Sequence, residues 1–147
     1  MPEPDDPLAD FPVTIGLPVQ WGDQDAFRHV NNTVYLRWFE SSRVEYTRRV
    51  GLWEMPDHGE IGPILASIRC DYRRPLTYPD AVRVGTRAVQ VGRTSFTLEH
   101  RVVGESAKAV AAEGSAVLVL YDYARSEPCP IPDRVREAIR ALEGKAV

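Results

Sequence analysis

Cysteine is scarce in this chain, with only Cys70 and Cys129 among 147 residues. A small domain held together by disulfides carries more of them. Both are therefore read as free thiols, which favours a reducing, cytoplasmic setting. Neither has the neighbours of a zinc-type cluster, and no metal is expected. Long apolar runs are missing too. Nothing approaches the roughly 18–20 residues that a spanning helix needs, so no membrane role is expected. There is no basic excess: the net charge is −3 and the pI about 5.6. That argues against a nucleic-acid partner, while leaving room for a local basic patch facing a phosphorylated ligand. The opening "MPEPDDPLADFP" has neither the basic nor the apolar region of a signal peptide. Being acidic and proline-rich, residues 1–12 are expected to form a flexible tail. No internal repeat or linker divides the remainder, so residues 13–143 are read as one domain.

What is present is a change of period along the chain. Residues 13–21, "VTIGLPVQW", suit a first strand whose glycine and proline fit a sheet edge. From Asn32 to Val50 the period is helical. Tyr35, Trp38, Phe39, Ser42, Tyr46 and Val50 share one face, while Arg37, Glu40, Thr47 and Arg48 lie opposite. The small Ser42 in mid-stripe would allow close approach to a sheet, and Gly51 supplies a stop. After a loop-like stretch at residues 53–63, the period becomes two. Ile64, Ala66, Ile68, Cys70 and Tyr72 alternate with polar neighbours. Strands are expected next in "DAVRVGTRAVQV", "TSFTLEHRVV" and "KAVAAEGSAVLVLY", the last apolar on both faces in its second half and so central. A short helix opening at Pro132 and Asp133 closes the chain. The fold class is therefore α+β: a curved antiparallel five-stranded sheet wrapped around one long central helix, plus a short C-terminal helix.

The mouth of the long helix is unusually polar. In "WGDQDAFRHVNNTVYLRWFE", residues 21–40, Asp23, Asp25, His29, Asn31 and Asn32 all precede or open it, although one capping side chain would suffice. "GDQDAFRHVNNTVYLRWFESSR" resembles the opening of the 4-hydroxybenzoyl-CoA thioesterase-like and YbgC-like acyl-CoA thioesterases, with their pattern D-x-D-x-x-G-H-V-N-N-x-x-Y. The H-V-N-N-x-x-Y part also resembles plant acyl-ACP thioesterases. "RRPLTYPDAVRV", "VGRTSFTLEHRV", "AEGSAVLVLYD" and "PIPDRVREAI" fit later segments, so the likeness runs from residue 13 to about 142. It implies the hotdog fold and hydrolysis of an acyl thioester without a metal or cofactor, coenzyme A being part of the substrate. It also implies a homodimer or homotetramer with active sites at the subunit interface. An acyl-ACP substrate and a non-catalytic acyl-thioester-binding domain are the alternatives. The family's glycine is replaced here by Arg28, whose side chain would narrow the acyl pocket or reach for a charged acyl group.

Thioester hydrolysis needs a nucleophile or base, and polarisation of the carbonyl oxygen. A carboxylate just before a helix start supplies both, because the free N–H groups and dipole of the helix terminus attract developing negative charge. Asp25 matches the family's second aspartate, which acts as nucleophile or general base. Asp23 either shares a face with Asp25, raising one carboxyl pKa, or fixes the loop through backbone hydrogen bonds. His29 either touches substrate or orients the loop. Asn31 and Asn32 are natural caps, and the resemblance implies that a backbone N–H near Asn32 meets the thioester carbonyl. Val30 and Tyr35 are candidate pocket residues, Tyr35 serving equally as core. Arg93, Thr94 and Ser95 would reach the site from a neighbouring subunit, unless they form only a hairpin turn. Arg73, Arg74 and Arg93 are candidates for the coenzyme A phosphates. Glu40 and Arg43 are expected in surface or interface pairs. His100, on an apolar strand face, is read as structural, and His58 carries no argument.

Overall fold

The helical stripe and the two-residue alternation fold as one layer of sheet curved around one helix. The computed structural model describes residues 5–53 and 60–147; His58 lies outside the described residues. The elements are β1 (Val13–Pro18), α1 (Asn32–Arg49), β2 (Ile61–Tyr72), β3 (Ala81–Val91), β4 (Ser95–Gly104), β5 (Ala109–Asp122), the two-residue β6 (Glu127–Pro128) and α2 (Asp133–Glu143). The sheet is antiparallel with order β1-β3-β4-β5-β2, and β6 adds to β5. The first strand is shorter than expected. After Pro18, the Val19 N–H bonds to the Asp80 carbonyl, and Trp21–Asp23 form a single 3-10 turn.

β2, β3, β4 and β5 do not form one continuous meander. β2 pairs with β5 rather than with its successor β3, and so becomes an edge. Residues 73–80 must then cross the end of the sheet. That crossing is pinned by the Arg73 and Arg74 N–H groups on the Ala111 carbonyl and by the Leu76 carbonyl, which accepts the Val30 N–H at 2.8 Å. It passes over the mouth of α1, which is why it matters for the site. The alternation expected in β2 is broken by a bulge between Leu65 and Ser67. Ala66 is exposed there, contrary to its place on the expected inner face.

The inner stripe of α1 is buried as its period implies. Tyr35, Trp38, Phe39, Ser42, Tyr46 and Val50 are each 3% exposed or less. Burying each of the large apolar ones contributes about 1.5–3 kcal/mol. Phe39 lies over Gly114, where an added Cβ would stand 2.6 Å from the ring, so that position admits no side chain. Apolar clusters fill both ends of the helix–sheet interface. A polar trio lies between them: the Ser42 and Thr86 hydroxyls are 2.6 Å apart, and Thr86 Oγ1 is 2.8 Å from His100 Nδ1. His100 is structural, as expected. Two residues assigned outside the core are buried. Thr47 is 3% exposed and accepts the Trp53 indole N–H, and Arg43 is 7% exposed, with Glu40 only at 4.0 Å. The stripe is thus wider than its aromatic residues alone suggest. Gly51, with φ of 82°, closes α1.

The expected tail is held down over its described part. Leu8 and Phe11 are buried on the outer face of the sheet, and Arg83 donates to both Asp6 carboxylate oxygens. The Arg87 and Arg101 guanidiniums lie 4.5 and 5.0 Å from the Phe11 ring centre. Among the described residues, no helix is long and apolar enough to cross a membrane.

Candidate active site

Residues 23–32 form a compact loop whose backbone bonds set each side chain. Asp23 is 5% exposed and fully engaged. One carboxylate oxygen accepts the Gln20 N–H at 2.8 Å, the other accepts from Arg37 at 2.8 Å, and its carbonyl accepts the Asn31 N–H. Of the two roles open to Asp23, this geometry favours fixing the loop. The chain then turns tightly. The Arg28 N–H bonds to the Asp25 carbonyl and the Asp25 N–H to the His29 carbonyl, both at 3.0 Å. Closing that turn puts Arg28 at φ of 64°, in the left-handed region that glycine occupies without strain.

Asp25 is exposed, and its two oxygens differ. Oδ1 accepts the Phe27 N–H at 2.9 Å, while Oδ2 faces the Asn31 side-chain nitrogen at 3.5 Å. Asn31 is the cap of α1, its side-chain oxygen accepting the Thr33 N–H at 3.0 Å. Asn32 is the first residue of the helix. Among the described residues no acceptor takes its N–H, and its carbonyl accepts the Tyr72 hydroxyl at 3.0 Å. A carboxylate whose Oδ2 carries only the long Asn31 contact is therefore tied through one side chain to a helix terminus with free N–H groups.

Two clefts flank this pair. One, of about 640 Å³, is lined by Trp21, Gln24, Asp25, Arg28, Thr77 and Tyr78. The other, of about 330 Å³, is lined by His29, Val30, Asn32 and Tyr35, with Tyr72, Arg73, Arg74 and Pro75 from the crossing segment. Tyr35 is both core and wall, 3% exposed and edge-on to Trp38 and Tyr72. Burial, then the nearby Cys70, pushes the Tyr35 phenol up to about 12; burial and the contact with Cys70 do the same for Tyr72. Both phenols stay protonated near neutrality and act as donors.

Arg93, Thr94 and Ser95 are not brought to this place within one chain. They form the β3–β4 turn at the far end of the sheet, where the Thr94 carbonyl accepts the Leu120 N–H and the Arg93 carbonyl accepts the Ile131 N–H. Three wall residues have no functional signal in the sequence. Trp21 reads as the end of a strand, Tyr72 as a strand position, and Tyr78 as part of a connecting segment. The crossing of residues 73–80 over the helix mouth has no signature in periodicity. Among the described residues no group of three or more His, Cys, Asp or Glu side chains could hold a metal ion.

The model of the thioesterase-like superfamily matches residues 19–139. The chain belongs to that superfamily. Among solved structures, a thioesterase from Thermus thermophilus, complexed with coenzyme A and zinc, is 37% identical with a TM-score of 0.82, covering 95% of this chain and 99% of that one. The gentisyl-coenzyme A thioesterase BH1999 is 26% identical with a TM-score of 0.76, covering 86% and 98%. The long-chain acyl-CoA thioesterase FadM of Escherichia coli K12 is 22% identical over 118 residues, 80% of this chain and 89% of FadM. An uncharacterised Bacillus subtilis protein, YsmA, is 28% identical over 82 residues, and that match spans only 54% of its length. The hotdog architecture expected from the motif is the one the superfamily and these neighbours share.

Proposed function

We propose that this protein hydrolyses an acyl-CoA thioester to the free acid and coenzyme A thiol. The observation that carries the reading is the tie from Asp25 Oδ2 through the capping Asn31 to the Thr33 N–H in the first turn of α1, beside the free N–H of Asn32. The thioester carbonyl oxygen points at the start of α1, where negative charge is stabilised as it develops. A donor of this kind is worth about 2.7–4 kcal/mol in known enzymes. Asp25 then acts by one of two routes. As nucleophile, its Oδ2 bonds to the acyl carbon, the C–S bond breaks and the thiolate leaves. Water then cleaves the mixed anhydride, returning the carboxylate. As general base, it takes a proton from the water that attacks directly, an effect worth roughly 10²–10⁴-fold. Arg73 and Arg74, on the second cleft, face the phosphates of coenzyme A.

Two copies are needed for the complete site in this reading. Among the described residues β2 has a long unpaired edge, with its Tyr72 end at the mouth of α1 and its Ile61 end near the β3–β4 turn. Joining two β2 edges antiparallel brings one subunit's Arg93, Thr94 and Ser95 toward the other's Asp25 end, forming a homodimer.

Thiol release from short, long and aromatic acyl-CoA esters, with Asp25→Asn run beside the native protein, tests the assignment. Turnover that falls by at least about 10²-fold in a folded variant supports it. Turnover that survives removes Asp25 from its role. Silence on every CoA ester, with turnover of acyl-ACP, would move the carrier from coenzyme A to protein. Silence on both would leave a binding domain.

A further inference from the structure

Among the described residues, Arg28 is the one charged residue besides Asp25 lining the larger cleft. Among the described residues it forms no ion pair, unlike Arg37, Arg83, Arg87 and Arg101. It holds an αL conformation at φ of 64°, for which glycine would be the unstrained choice. Such strain costs about 1 kcal/mol and persists where the surroundings require it. The remaining walls are Trp21 and Tyr78, edge-on at 5.6 Å and largely exposed, together with the polar Gln24 and Thr77. Arg73 and Arg74 line the opposite cleft, beyond Asn32. A thioester whose carrier phosphates lie at that opposite cleft, and whose carbonyl lies at Asn32, sends its acyl chain past Asp25 toward Trp21, Tyr78 and Arg28.

We infer that the acyl group this site selects ends in a second carboxylate, gripped by the Arg28 guanidinium beside the Trp21 and Tyr78 rings. The inference rests on the thioesterase reading above and specifies its substrate class as half-thioesters of dicarboxylic acids. The chemistry follows from the cleft. A planar guanidinium binds a carboxylate through two parallel N–H···O bonds. The aromatic walls cover the intervening methylenes. A purely hydrocarbon acyl chain would leave the cation in the cleft unpaired. The same guanidinium could instead meet a phosphate of coenzyme A, so carrier and acyl anion must be separated by experiment.

The test measures kcat/KM for glutaryl-CoA and pentanoyl-CoA, which share chain length and carrier and differ in the terminal carboxylate. The same two acyl groups on N-acetylcysteamine remove the phosphates. Arg28→Gln retains a side chain on the strained backbone, while Arg28→Gly relieves that backbone. In the native protein glutaryl esters should be favoured on both carriers. In both variants the glutaryl-to-pentanoyl ratio should fall by roughly 10- to 100-fold, as for a lost hydrogen bond to a charged group. Arg28→Lys should restore part of it. Thermal unfolding of each variant guards against loss of fold. An equal fall for both CoA esters that vanishes on the N-acetylcysteamine esters would assign Arg28 to the carrier and overturn the proposal. An unchanged ratio would overturn it too, while turnover of pentanoyl-CoA left the thioesterase reading standing. Absence of thiol release from every ester would overturn both.

Discussion

Asn31 holds the Asp25 carboxylate and the helix start in one grip: its side-chain nitrogen faces Asp25 Oδ2 at 3.5 Å while its oxygen accepts the Thr33 N–H at 3.0 Å. The two functions separate by substitution. Asn31→Ala removes both, and loss of a cap costs about 1 kcal/mol, or roughly 2–4 °C in a chain of this size. Asn31→Asp keeps an oxygen for the cap but sets a second carboxylate against Asp25. Like charges disfavour double ionisation, so one carboxyl pKa rises. The expected outcome is a near-native melting temperature with the acid limb of the kcat/KM profile moved to higher pH. An unmoved acid limb would mean that Asp25 is not the titrating group.

Asp23 makes a different demand. Its carboxylate is 5% exposed and bonded on both oxygens, whereas its partner Arg37 is 57% exposed. The ion pair is screened on the arginine side and contributes little by itself. Holding the Gln20 N–H and closing the loop is the larger part. Asp23→Ala should therefore cost about 1–3 kcal/mol, and Arg37→Ala less than about 1 kcal/mol, by urea denaturation. Activity in Asp23→Ala should fall without a change in the shape of the pH profile, because both Asp23 oxygens are occupied in holding the loop. A displaced profile would instead make it an acid–base partner of Asp25.

These residues also show what a sequence can and cannot reveal. The helix and its buried stripe were legible because a 3.6-residue period of large aromatics has few other uses, and Tyr35, Phe39 and Tyr46 all lie where that period puts them. The cluster at the helix mouth was legible because five polar residues exceed what capping needs. The role of residues 73–80 was not, since β2 pairing with β5 depends on long-range register that no local pattern encodes. Trp21 and Tyr78 became a wall only through that crossing. Thr47 and Arg43 were misplaced because amphipathic reading assigns polar residues outward, while Trp53 folding back gives Thr47 an indole N–H to accept. The N-terminal segment reads as a tail by composition, yet Leu8 and Phe11 find an apolar seat over Gly85, where a side chain would collide with them.

His100 gives the fold a pH dependence unrelated to catalysis. It is 1% exposed, stacked on Phe39 at 4.8 Å and bonded to Thr86, and its Nε2 has no partner among the described residues. Burial, reinforced by the positive charge of Arg43, pushes its pKa down to about 3. The folded protein thus keeps His100 neutral at pH values where the unfolded chain, with an ordinary value near 6.5, takes up a proton. Stability is fully present above about 6.5 and is lost as pH falls toward 3, with a limiting slope of about 1.4 kcal/mol per pH unit from this group alone. Urea unfolding of the native protein between about pH 7.5 and 5 should show that loss before the carboxylates begin to titrate. His100→Gln, which keeps a polar side chain but cannot titrate, should remove it. Parallel slopes for the two proteins in that window would mean that water or a neighbouring charge reaches the imidazole in the folded state and lets it protonate there.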